Sequence, residues 1–184
     1  MKKSTTKSGS TRKRSSEASA EVQPEARPAI DEYNAIVNVA ELLSVHLMQA
    51  RGEFRPEKMG DDDNLVLRVA PPQYRGQFSP ENSTISCGVR LILTLENPAP
   101  ETTAAEAAGD AVVEVFAEYR ITYKLPKNTV CEERIVKFFA ARNALFNTWP
   151  FFRELAFSLV GKMGVPPLVT PLLRLPPLSQ AGLH

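Results

Sequence analysis

The sequence predicts an α+β domain: an antiparallel sheet of about four strands, followed by one long kinked helix. Three observations carry this reading. The runs Thr84–Glu96 and Ala111–Lys124 alternate apolar and polar residues with period two, as half-buried strands do. The stretch between them, ENPAPETTAAEAAGD, is too polar for a buried crossover, so the two runs form a long antiparallel hairpin. Beyond Glu132, apolar residues recur at intervals of three and four through Met163, which is the spacing of an amphipathic helix.

Composition sets the frame. A chain of 184 residues is long enough for one domain with a real core. No apolar run is long enough to span a membrane. The N-terminus is basic but has no apolar segment behind it, so it does not read as a secretory signal. The two cysteines, Cys87 and Cys131, fit a reducing compartment, and a cytoplasmic location is expected. The net charge of +1 hides a division. Six of the 22 basic residues lie within residues 1–14 with no acid among them; the other 16 face all 21 acids, so the remainder is −5.

Residues 1–29 hold almost no large apolar side chain and are expected to form a disordered basic tail. No aromatic interleaves its bases, so a nucleic-acid partner is not expected. The domain then spans 30–184. Asp31 can cap a short helix that puts Tyr33, Ile36, Val37 and Ala40 on one side. In Leu42–Ala50, Leu43, Val45 and Leu47 alternate with Ser44 and His46, which favours a first strand. Arg51–Ser83 reads as irregular loops around one short edge strand, Leu65–Val69. Its aspartates 61–63 lack the ligand pattern of a calcium loop.

The two alternating runs come next. Ile85, Cys87, Val89, Leu91, Leu93 and Leu95 share one face of the first. Val113, Val115, Ala117, Tyr119, Ile121 and Tyr123 share one face of the second. Each spans about 40 Å at 3.3 Å per residue, and a helix over 132–163 is about 45 Å long, so one can cover the other. Glu132 and Glu133 suit its N-terminus and Lys162 its C-terminus. Gly164 stands at a left-handed cap position, with Pro166 and Pro167 beyond. Pro150 lies inside and predicts a kink near Asn147–Trp149, or else two helices with Asn147 or Thr148 capping the second. The helix is apolar on more than one side, more than a small sheet can bury, which calls for a second partner. After it, VPPLVTPLLRLPPL is extended: either a strap on its own domain or the wall of a groove.

Catalytic patterns are missing. There is no Gly-rich phosphate loop, no CxxC, no HExxH and no Gly-x-Ser-x-Gly. His46 stands alone, without the spacing of a metal ligand. Neither an enzyme nor a cofactor is expected.

The run WPFFRE (Trp149–Glu154), followed by KMGVPPL and TPLL, resembles the SecB family of protein-export chaperones. The order of elements over roughly residues 40–175 agrees with it. The resemblance implies a four-stranded antiparallel sheet and a long helix, assembled as a homotetramer. It also implies an ATP-independent holdase that binds unfolded or precursor polypeptides on apolar grooves and passes them to the motor SecA. On that basis Phe139, Phe146, Trp149 and Phe152 are candidates for seating the helix on the sheet or on a neighbouring subunit. Phe151, Leu155, Val165, Leu168, Leu172 and Leu173 are candidates for lining a client groove. Ordinary core packing competes for both sets.

Two departures from the family pattern stand out. The family has a second, C-terminal helix along the client groove, whereas this sequence reads LPPLSQAGLH there. The family also presents an acidic outward sheet face to SecA, whereas here Glu114, Glu118, Arg120 and Lys124 are mixed in sign. Both fit a divergent SecB-like protein dedicated to another partner, such as a toxin–antitoxin-associated chaperone.

Overall fold

The structure, a computed structural model, describes residues 30–60, 65–97, 111–166 and 168–173. The basic tail, the aspartates 61–63, the polar stretch from residue 98 to 110 and the chain beyond Leu173 lie outside them. Helix α1 covers Ile30–Val37. Five strands follow: β1 Glu41–Phe54, β2 Val66–Val69, β3 Gln73–Ser79, β4 Thr84–Glu96 and β5 Ala111–Lys124. The long helix comes last, as α2 Glu133–Phe139, a π turn Ala140–Ala144 and α3 Leu145–Lys162.

All strand pairs are antiparallel, in the order β1-β5-β4-β2, and β3 also pairs with β4. β2 lies against Leu93–Glu96 and β3 against Thr84–Arg90, so the two divide one edge of β4 between them. Pro71 and Pro72 separate them and have no amide hydrogen to continue a ladder. The hairpin of β4 and β5 is the centre of the molecule. Its expected inner residues meet in register, Ile85 with Tyr123, Cys87 with Ile121 and so on to Leu95 with Val113, and all are buried.

β3 is the element that the sequence reading leaves as loop. Its residues QYRGQFS do not alternate cleanly, and Gly76 weakens the signal. The neighbouring helix explains that glycine. A Cβ at Gly76 would lie 2.8 Å from Val136 Cγ1 and 2.9 Å from the Val136 carbonyl oxygen. Only a residue without a side chain lets α2 come this close.

The helix crosses the sheet obliquely. It starts over β3 at Gly76, and its far end reaches β1, where Gly52 faces Leu159 and Met163. Ile135, Val136, Phe139, Ala140, Ala144, Leu145, Thr148, Trp149, Phe152, Ala156 and Val160 form its buried stripe. Phe139 packs edge-on against Tyr123, with ring centroids 4.8 Å apart. Gly164 takes φ +73°, the left-handed cap its position predicts. The irregularity in the helix falls one turn earlier than Pro150 predicts. α3 runs unbroken through Pro150, and the hydrogen-bond pattern changes at Ala140–Ala144 instead. Thr148, fully buried, donates its hydroxyl to the Ala144 carbonyl at 2.6 Å.

Candidate functional site

Along α3, one side of the helix stays open. Asn147, Phe151 and Leu155 follow one another at intervals of four and so lie in a line. Asn147 donates to the Tyr123 hydroxyl at 2.9 Å, which places that line on the side reaching β5. The cross-strand neighbours of Tyr123 and Tyr119 on β1 are Leu42 and Leu47, on the same sheet face. Because the helix reaches β1 only near Gly52, these two leucines stay uncovered. Leu42 and Leu47 are each 47% exposed, and Phe151 is 51% exposed. The result is an open apolar wedge between α3 and the first half of β1.

Among the described residues β1 is an edge of the sheet. Leu43 and Met48, at the two register shifts of its ladder, are 56% and 49% exposed. No proline interrupts its length. A long edge with exposed apolar side chains is a template for another strand. These residues are a candidate signal that sequence reasoning missed. The run LLSVHLM carries it, but its alternation is broken where the bulges fall.

The sequence candidates separate by place. Phe139, Trp149 and Phe152 are buried in the stripe that seats the helix. Phe146 is 60% exposed and lies outside that stripe. Phe157, also exposed, joins it on the helix surface. Among the groove candidates, Phe151 and Leu172 are exposed, while Leu155 and Leu173 are half-buried against the core. Val165 and Leu168 are buried. They hold the segment after the helix down as a strap, helped by the Trp149 indole, which donates to the Pro171 carbonyl at 3.1 Å. Val169 and Leu172 point away from this anchorage and are exposed.

Neither described cysteine is an activated thiol. Burial pushes the Cys87 thiol up to about 12, and burial with the neighbouring Glu132 carboxylate pushes Cys131 up to about 11. Both thiols are therefore protonated near neutral pH. Burial, with Glu154 nearby, likewise raises Tyr119 to about 12. Among the described residues no group of His, Cys, Asp and Glu is placed to hold a metal ion, and no helix is long and apolar enough to cross a membrane.

An antiparallel sheet lies under one long helix, and apolar side chains are left exposed on the helix and on the edge strand. The fold is SecB-like. The chain superposes on the SecB-like chaperone Rv1957 of Mycobacterium tuberculosis, solved in complex with a ChAD peptide from the antitoxin HigA1, Rv1956. The TM-score is 0.63, the match covers 79% of this chain and 99% of that one, and 16% of residues are identical. Neither family models nor curated proteins match the sequence.

Proposed function

We propose that this protein is an ATP-independent holdase chaperone that works in the cytoplasm as a homotetramer and keeps non-native polypeptides from aggregating. The observation that carries this reading is the apolar surface a single chain leaves open: Phe146, Phe151 and Phe157 on α3, and Leu42, Leu43, Leu47 and Met48 on β1. Burial of such surface against a client contributes roughly 25 cal/mol per Å². The β1 edge is the part best suited to a second copy, because identical edges pair about a two-fold axis. The α3 wedge is the part best suited to clients.

Two experiments test these assignments. A denatured, slow-folding protein is diluted into buffer with the full chain and no nucleotide, and light scattering is followed. Suppression is expected at near-stoichiometric amounts. Phe151→Asp should weaken it about tenfold while leaving folding stability within about 1 kcal/mol, because the side chain is already half in water. Equal suppression by the variant would remove Phe151 from the client site. Placing a lysine at Leu43 is expected to reduce the sedimenting mass to a smaller species, since edge lysines block strand pairing. An unchanged mass would move the oligomer contact elsewhere.

A second reading has its own support. The Mycobacterium tuberculosis neighbour holds an antitoxin peptide, which favours a chaperone dedicated to one partner over one that hands precursors to SecA. A dedicated chaperone would fail to suppress aggregation of a generic client while remaining folded and oligomeric.

A further inference from the structure

We propose that the outward face of the sheet, opposite the helix, docks an acidic polypeptide segment whose carboxylate is held between Arg120 and Arg75. One row of residues crosses four strands there: Arg75 on β3, Gly88 on β4, Arg120 on β5 and His46 on β1. At about 4.8 Å between strands the row is about 14 Å wide. The adjacent row holds Arg90 beside Glu118.

The charges in these two rows do not balance. Glu118 accepts from Arg75 Nη2 at 3.1 Å and from Arg90 Nε at 2.9 Å. One carboxylate, only 14% exposed, thus serves two guanidinium groups. Arg120, next along the same face of β5, is exposed and has no ion-pair partner among the described residues. Elsewhere on this face the pairs are one to one, Arg51 with Glu114 and Arg68 with Glu96. Three guanidinium groups around one carboxylate repel one another until a second carboxylate arrives.

There is room for one. A depression of about 410 Å³ opens over this row, lined by Arg75, Ser86, Gly88, Glu118 and Arg120 among others. Gly88 lies in its lining, and a Cβ there would lie 2.8 Å from Arg75 Nε, so the glycine lets the arginine fold down onto the strand. A guanidinium fork offers paired donors that match a carboxylate.

The surroundings favour a peptide. Glu114 and Glu118 interrupt the basic surface and would repel a continuous phosphate backbone. Ile92 and Phe116 lie side by side in the ladder and are half-buried on the same face. Phe116 sits about 13 Å along β5 from Arg120 at 3.3 Å per residue. An extended segment with an acidic residue and an apolar residue four apart spans that distance. Met48 of β1 also lines the depression, but Leu42, Leu47 and Phe151 of the apolar wedge do not, so the inference stands or falls without the client wedge.

The test uses the full chain and a short fluorescein-labelled peptide of alternating Glu and Thr ending in Leu, with binding read by anisotropy. A twin peptide with Gln in place of Glu is the control. Arg120→Gln should weaken binding of the acidic peptide about tenfold, and Arg75→Gln should do the same; Phe151→Ala should leave it unchanged. The basic tail attracts the same probe but is intact in every variant, so it cannot produce the difference. Equal binding of the Gln twin overturns the proposal, as does unchanged affinity in Arg120→Gln. Tighter binding of an oligothymidylate through Arg120 overturns it in favour of nucleic acid.

Discussion

Phe139→Ala is expected to cost about 3–5 kcal/mol of folding stability, the range for removing a large aromatic side chain from a packed core. Phe139 is fully buried at the end of α2, where the helix meets the sheet. Its ring stands at 89° to that of Tyr123, an edge-to-face pair that adds to simple burial. Tyr123 in turn receives the hydrogen bond of Asn147 at the start of α3. Truncating Phe139 therefore leaves a cavity where sheet, α2 and α3 are joined. Denaturant unfolding at one fixed protein concentration would measure the loss as a lower midpoint with unchanged slope. Phe146→Ala is the control, at under about 1 kcal/mol, because that ring is largely in solvent. Equal losses in the two variants would mean that the helix is seated differently.

The contrast between these two phenylalanines also marks where the sequence stops being legible. Phe139 and Phe146 are seven apart, and on an unbroken α-helix they share a face. The π turn at Ala140–Ala144 lies between them and takes an extra residue into one turn. Everything beyond it is rotated, so Leu145 turns into the core and Phe146 turns out. No residue in AARNA announces this, whereas Pro150, the obvious helix breaker, is absorbed within α3. The cause is tertiary: the sheet beneath decides which side chains the helix buries, and local pattern cannot report that.

The sheet was legible where each strand has one wet face and one dry face. β4 and β5 alternate over their whole length because the helix covers one side only. β3 and β1 are edges and follow other rules. β3 spends its central residue on close approach of the helix, and β1 carries two bulges and is wet on both faces over most of its length. The same reasons hid half of the candidate site. The aromatic helix was visible as surplus apolar surface, but its companion on β1 becomes visible only when the oblique path of the helix shows which leucines it leaves uncovered.

Gly76→Ala is expected to cost about 3 kcal/mol, near the top of the range for overpacking. The added carbon would meet the Val136 carbonyl oxygen at 2.9 Å and the Ala140 Cβ at 3.3 Å. A carbonyl in the helix backbone cannot turn aside, so α2 must lift from β3 and take Phe139 with it. Gly52→Ala poses a clash that is nominally closer, with Met163 Cε at 2.7 Å, yet should cost under about 1 kcal/mol. The tip of a methionine can swing away and the helix need not move. Thermal or denaturant unfolding of the two variants side by side distinguishes a rigid contact from a yielding one. A larger loss at Gly52 than at Gly76 would mean that the helix is anchored to the sheet at its C-terminal end, over β1, and not over β3.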